Sequence, residues 1–352
     1  MEVQKKFRRS FILMFSSVFL LFILFLLNIL WGSVSISFAE VIGVMSGSYD
    51  GVSAANIIII EQFRFPQAIT ATFAGAGLAV AGLLMQTLFR NPLADPSILG
   101  ISAGASLGVA LLLLSTGMVS GQALISFGWL SHIGIILASF AGAMLVLALI
   151  TILSKRLMNM VSLLIAGIMI AYVAGAIVGI IKYFSHKEDL HAFVIWGLGS
   201  FSNVGLSQIP FFVIAVSLGL VASVLLMKPL NLMLLGEKYA RNLGLNVKHY
   251  QTILLLVAGF LTAVITAYAG PIAFIGLAVP HLARNLFRSS DHKILIPSTI
   301  IIGAALALFC NLIARLPGFE GSLPVNSITS LIGAPVVVWI ILKRQQLYSR
   351  SA

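Results

Sequence analysis

Long apolar runs separated by short polar or charged links recur along the chain, beginning with "FILMFSSVFLLFILFLLNILW" at residues 11–31. A hydrocarbon layer about 30 Å thick needs roughly 20 such residues per helix. Ten windows fit: residues 11–31, 64–88, 98–116, 128–153, 161–183, 205–227, 251–270, 272–287, 296–314 and 323–342. The pattern predicts an all-α polytopic membrane protein, one transmembrane domain over residues 1–352, with both termini on the same side. The eighth window is short, and residues 267–280 are rich in Gly and Pro. That reads as a broken helix, which a membrane tolerates where protein or a water-filled cavity surrounds it. "KKFRRS" before the first run resembles the start of a signal peptide. The run is too long for one and ends at Trp31 without a small-x-small cleavage site, so it reads as a retained span.

Composition agrees. The chain is 60% hydrophobic and only 9% charged, where a soluble domain carries about 25% charged residues; its mean hydropathy is +1.09. Basic residues set the orientation. Of the 21 Lys and Arg, 17 fall on one side of the ten-span arrangement and only Arg64, Lys182, Lys187 and Arg315 on the other. The first side, with both termini, is predicted to be cytoplasmic. The net charge of +11 therefore belongs to membrane topology and anionic lipid, and nucleic acid is not implied as a partner.

Absent motifs narrow the function. There is no G-x-x-x-x-G-K-[ST] and no H-E-x-x-H, and Cys310 stands alone in an apolar stretch, which excludes a disulfide framework or thiolate site. His186 and His191 share an outer loop with Glu188 and Asp189, read as solvated rather than metal-binding. The ten acidic residues, Glu2, Glu40, Asp50, Glu61, Asp95, Glu188, Asp189, Glu237, Asp291 and Glu320, all fall in loops, tails or at span edges. An ion-coupled carrier usually places a carboxylate near the midplane. Asn28 and Asn311 within spans read as interhelical hydrogen bonds. Gly100, Gly104 and Gly108, and again Ala171, Gly175 and Gly179, are spaced for close helix approach, either inside the chain or between subunits. A chain with many spans, no evident ion coupling and no nucleotide site would need a partner to drive uphill transport.

The stretch "LLGEKYARNLGLNVKHY" (234–250) is charged and lies between two apolar windows on the cytoplasmic side. Leu235, Tyr239, Leu243 and Val247 are four apart and predict an apolar stripe opposite Glu237, Lys238, Arg241 and Asn242. Gly244 sits where a helix C-cap is expected. A helix this short is marginal in water, so it either packs on a partner or lies on anionic headgroups. In "RNPLADP", Pro92 and Pro96 stop helices, and Asn91 and Asp95 suit turn positions, predicting a tight connection.

At this point a family becomes recognisable. "LGEKYARNLGLNV" resembles the cytoplasmic coupling loop of permease subunits of ABC importers for iron-siderophores, haem and vitamin B12, the FecCD-like family. "RFPQAITATFAGAGLAVAGLLMQTLFRNPLADPSILGISAGASLG" (64–108), "GPIAFIGLAVPHLAR" (270–284), "DHKILIP" (291–297) and "LPVNSITSLIGAPVVVWIILKR" (323–344) extend the resemblance nearly end to end. It implies a type II ABC importer permease in the bacterial inner membrane, with no catalytic residue, metal or cofactor of its own. Its implied partners are a second permease copy, a P-loop ATPase that binds ATP and Mg, and a periplasmic or lipid-anchored substrate-binding protein. Leu235, Gly236, Glu237, Ala240, Arg241, Leu243 and Gly244 match the ATPase-coupling pattern. Arg64 and Arg315 match positions that dock the binding protein, although lipid-facing snorkelling also fits them. Gln67 departs from the family, which commonly has a second arginine there, and Glu61 and Glu320 are near enough in sequence to pair with the two arginines. In "SKRLMNMVSLLIAG", Met160 and Val161 fall where the family closes its cytoplasmic gate. The implied cargo is a ferric siderophore first, with haem and cobalamin open; an ion-coupled carrier is the distant rival.

Overall fold

The computed structural model describes residues 2–114, 128–157, 159–316 and 322–349. The chain runs through α1 (Glu2–Leu30), α2 (Phe38–Ser46), α3 (Ala54–Ile58), α4 (Phe65–Leu88), α5 (Ile101–Leu113), α6 (Gly128–Arg156), α7 (Met160–Tyr183) and α8 (Lys187–Gly197). It continues through α9 (Ile209–Leu225), α10 (Met227–Leu234), α11 (Glu237–Asn242), α12 (Val247–Ala269), α13 (Ile275–Phe287), α14 (His292–Ala314) and α15 (Val325–Ser349).

Every apolar window falls on a helix. Among the described residues six helical stretches are long and apolar enough to cross a membrane alone, and α9 with α10, bent by 49°, makes a seventh. The remaining windows are shorter for local reasons. α5 has 13 residues because the RNPLADP turn and a 3₁₀ turn at Pro96–Leu99 precede it. α13 also has 13 residues, a rise of about 20 Å. Residues 270–274 between α12 and α13 are not helical, which is the expected break. Gly270 and Phe274 there have φ of 75° and 69°. The Ala273 N–H that the break frees donates to Asn326 Oδ1 at 3.0 Å, supplying the partner that lipid could not.

α4 is the hub. It is buried along most of its length and packs against α9, α12, α13 and α14. Its run of small residues explains how. A Cβ on Gly82 would lie 1.8 Å from the Gly276 carbonyl oxygen of α13, and one on Gly75 would lie 2.3 Å from that of Gly303 in α14. At these points backbone touches backbone, which only glycine permits. Gly104 and Gly108 of α5 meet Gly142 and Ala138 of α6 in the same way, so this set packs inside the chain. Gly175 and Gly179 of α7 have open space where a Cβ would project. α1, α6 and α7 form the rim and turn large apolar side chains such as Phe15, Leu145 and Tyr172 outwards.

Asn28 and Asn311 form the expected interhelical bond: Asn311 Nδ2 donates to Asn28 Oδ1 at 2.8 Å, and Asn28 Nδ2 donates to Leu308 O at 3.0 Å, locking α1 to α14. The outer links hold more structure than the hydropathy suggested. α2 opens on a capping box between Ser37 and Glu40. α3 runs on through a π-helical turn at Ile59–Arg64 into α4. The stretch read as a solvated loop is the helix α8, with Glu188 and Asp189 in its first turn, where acidic residues favour the helix dipole.

Candidate functional site

Three groups of residues were singled out from sequence, and the fold gathers two of them at the inner end. The coupling stretch folds as α10, a joint at Gly236 and α11. Gly236 has φ of 109°, which an L side chain rarely adopts. Gly244, at φ 85°, closes α11 in a Schellman motif: Leu245 N–H bonds Ala240 O at 3.0 Å and Gly244 N–H bonds Arg241 O at 2.9 Å. Glu237 and Arg241, one turn apart, pair at 3.7 Å, and Gln251 Nε2 of α12 donates to Glu237 Oε1 at 3.2 Å.

The predicted stripe does not pack inward as one surface. Val247 and Ala240 are buried, whereas Leu235, Tyr239 and Leu243 are 61%, 57% and 54% exposed. Leu235, Tyr239 and Leu243 share the exposed side, and the stripe parts only at Gly244, whose left-handed turn leads Val247 inward at the start of α12. The outcome is a short charged helix whose large apolar side chains, with Leu234 beside them, face away from the permease.

Met160 and Val161 begin α7. Asn159 caps that helix, its Oδ1 accepting from Val161 N–H at 3.0 Å. Both residues line an inner cavity of about 630 Å³ together with Glu237, Arg241, Lys248 and Gln251. Arg90 and Lys155 line it too, so among its charged lining residues cations outnumber the one acid, Glu237. Sequence alone gave no reason to place the residues matched to the gate and the coupling helix on one cavity. The neighbouring turn is the tight connection predicted: Asn91 Oδ1 accepts from Leu93 N–H at 3.0 Å, and Asp95 Oδ1 from Ser97 N–H at 2.9 Å. Burial pushes the Asp95 carboxyl upward, against the lowering effect of those Ser97 bonds.

At the outer end, Arg64 and Arg315 are 2% and 7% exposed, which corrects the expectation of rim charges or snorkelling side chains. Both hold the C-terminus of α1. Arg64 Nη1 donates to Ile29 O at 3.0 Å and Leu30 O at 2.7 Å, and its Nη2 donates to Val34 O. Arg315 Nη2 donates to Asn28 O and Asn28 Oδ1, each at 2.9 Å. The last carbonyls of a helix have no partner within it and carry its negative end, so two cations satisfy them doubly. Burial, and then the nearby Arg64 guanidinium, lower Arg315 to about 10, which leaves it cationic at neutral pH. Glu61 accepts from Tyr49 Oη at 3.0 Å and does not pair with Arg64; Glu320 lies outside the described residues. The two arginines line an outer depression of about 250 Å³ with Gln67, Ser202 and Ser322. Gln67, standing where the family commonly has arginine, donates through Nε2 to Ser202 Oγ.

A model of the FecCD transport family matches residues 20–343. The chain is 35% identical over 295 residues to the vitamin B12 import system permease protein BtuC of Salmonella typhimurium, covering 84% of this chain and 86% of that one. The BtuC protein of Salmonella gallinarum gives the same identity and coverage. Among solved structures, one described as an inward-facing conformation of a metal-chelate type ABC transporter matches with a TM-score of 0.80 and 28% identity, over 94% of this chain and 98% of that chain. PsaBC from Streptococcus pneumoniae, solved in complex with Fab, shares the fold at a TM-score of 0.52 and 15% identity, over 79% of this chain and 90% of that chain. Family membership accounts for the missing nucleotide motif, because ATP is bound and hydrolysed by a separate subunit. The chain belongs to the FecCD transport family and is a multi-pass permease subunit of a bacterial inner-membrane ABC importer.

Proposed function

We propose that this permease passes a large metal chelate inward between two copies of itself, driven by an ATPase seated on α11 from the cytoplasm. A ferric siderophore is the first candidate cargo. Cobalamin is the second reading, favoured by the identity to vitamin B12 permeases. The observation that carries the mechanism is the exposed apolar face made by Tyr239 of α11 with the flanking Leu235 and Leu243, beside Arg241 of the same helix. Such a face in water needs a cover, and a cleft on the ATPase would provide one.

ATP binding closes the ATPase pair and moves each α11 with its cleft. That motion shifts the permease only if α11 engages its partner differently in the two states. Glu237 and Arg241 are the polar contacts that register the helix in the cleft. Met160 and Val161, on the same cavity wall, form the apolar constriction that shuts the inner end, sealing by excluding water. On the outer side a substrate-binding protein docks over the arginine depression. Arg315 and Gln67 line that depression with Ser202 and Ser322, so its floor presents a cation and polar groups to the incoming lobes. Charges at such a site act mainly on orientation and association rate.

The test is gentle solubilisation of the tagged permease, identification of co-purifying subunits, and reconstitution in proteoliposomes. Uptake is then measured for a ferric hydroxamate, haemin and cyanocobalamin. The expected result is a P-loop ATPase at one copy per permease and ATP-dependent uptake of one of the three. Uptake that survives ATP depletion and collapses with the ion gradient would replace this reading with a secondary carrier.

A further inference from the structure

Three polar side chains distant in sequence meet at the inner end of α4. Asn231 stands midway along α10. Its Oδ1 accepts from the His292 backbone N–H at 2.8 Å and lies 2.9 Å from His292 Nδ1. Its Nδ2 donates to Asp291 Oδ1 at 2.6 Å, which fixes the amide orientation. An amide oxygen only accepts, so Nδ1 carries the ring proton and Nε2 of the neutral imidazole is left as an acceptor. Nε2 lies 3.1 Å from Thr87 Oγ1, whose single hydroxyl proton is shared between this nitrogen and Leu83 O at 2.9 Å, one turn back along α4. His292 and Thr87 are both buried.

The neighbouring residue of α4 extends the connection. Gln86 Nε2 donates to Leu277 O at 3.2 Å, and Gln86 Oε1 accepts from Arg284 Nη1 at 2.5 Å, both on α13. Asp291 also caps α14 by accepting from Lys293 N–H at 2.9 Å. Polar ties thus join α10 to α14, α14 to α4, and α4 to α13.

Their position matters for transport. α10 leads directly into Leu234, Leu235 and the Gly236 joint, so it is the root from which α11 hangs. Its buried apolar residues, Leu230 and Met233, could slide against the bundle, whereas directional hydrogen bonds hold one register. α4 touches α9, α12, α13 and α14, so displacing its inner end reaches much of the packed core. Closely packed elements shift between discrete arrangements rather than deform smoothly.

We infer that the Asn231–His292–Thr87 chain is the joint that carries displacement of the coupling segment into α4, with Asn231 and Thr87 as positioning residues for transport. The inference rests on the proposed ATPase contact at α11. It is tested by hydrogen exchange on the full permease–ATPase complex, nucleotide-free and trapped with ATP and vanadate, alongside ATP hydrolysis. Thr87→Val keeps the side-chain volume and removes the hydroxyl; Thr87→Ser keeps the hydroxyl; Asn231→Ala removes the link from the other side. In Thr87→Val and Asn231→Ala, the nucleotide-dependent exchange difference over residues 84–90 falls about threefold or more. The difference over residues 227–242 persists, hydrolysis continues, and Thr87→Ser behaves as wild type. An unchanged difference over 84–90 in both disrupting variants overturns the inference. So does faster exchange in every nucleotide state with loss of the ATPase, since that marks a purely structural role. A wild-type permease that holds no ATPase, or shows no nucleotide-dependent exchange, instead defeats the proposed function, and the joint falls with it.

Discussion

The two ends of the permease use the same residue type in opposite ways. At the outer end Arg64 and Arg315 are buried, and their guanidinium groups are bonded to carbonyls of α1 and to Asn28. At the inner end Arg241 is exposed, pairs loosely with Glu237 at 3.7 Å, and stands beside apolar side chains that nothing among the described residues covers. Desolvation makes a buried cation dependent on its hydrogen bonds, whereas an exposed pair of this kind contributes little to folding. The first arrangement holds a helix in place; the second leaves chemistry open for a partner.

The contrast breaks most readily at Arg64. Arg64→Ala leaves the carbonyls of Ile29, Leu30 and Val34 short of a charged donor, a loss of about 3 kcal/mol or more. It is read as a lower thermal midpoint of the detergent-solubilised permease, and Arg64→Lys, which lacks the planar fork, recovers only part of it. An unshifted midpoint in Arg64→Ala would dissolve the distinction between the two ends. Gly82→Ala comes next, because its new Cβ has no room beside Gly276 O. Overpacking of this kind costs about 1–3 kcal/mol, and the same midpoint measurement checks it.

The inner end sharpens the comparison from the other direction. Leu235→Ser with Tyr239→Ser changes stability by roughly 0.5 kcal/mol or less, as exposed substitutions do, yet the ATPase no longer co-purifies. Retention of the ATPase by this double variant would remove α11 from the interface. Smallest of all in stability is the effect of Glu237→Ala or Arg241→Ala, about 0.5 kcal/mol or less for an exposed i, i+4 pair. These variants insert and assemble normally but hydrolyse ATP without uptake, and normal uptake by both would rule out their coupling role.

Sequence periodicity revealed the apolar spans because lipid demands continuous apolar stretches with little interruption. The Gly244 cap was legible for a similar reason: a single residue type carries the left-handed turn. The burial of Val247 was harder to read, because the same Gly244 turn ends the helix before it, and no spacing rule that assumes an unbroken helix anticipates that. Arg64 and Arg315 looked exposed because each sits at the edge of an apolar window. Their burial depends on α1 returning 34–35 residues away from Arg64 and 287 residues away from Arg315. Thr87 and His292, 205 residues apart, gave no local sign of meeting.

The π turn at Ile59–Arg64 amounts to one residue more than the α-helical path between α3 and α4 requires. Removing any single residue from 59–63 would straighten that path. Everything before it would then rotate about 100° around the axis of α4. Ile60 would leave its buried position, and the bonds from Arg64 to Ile29 O, Leu30 O and Val34 O would be pulled apart. At this turn chain length carries as much information as residue identity, so a deletion there should be tolerated less well than most substitutions.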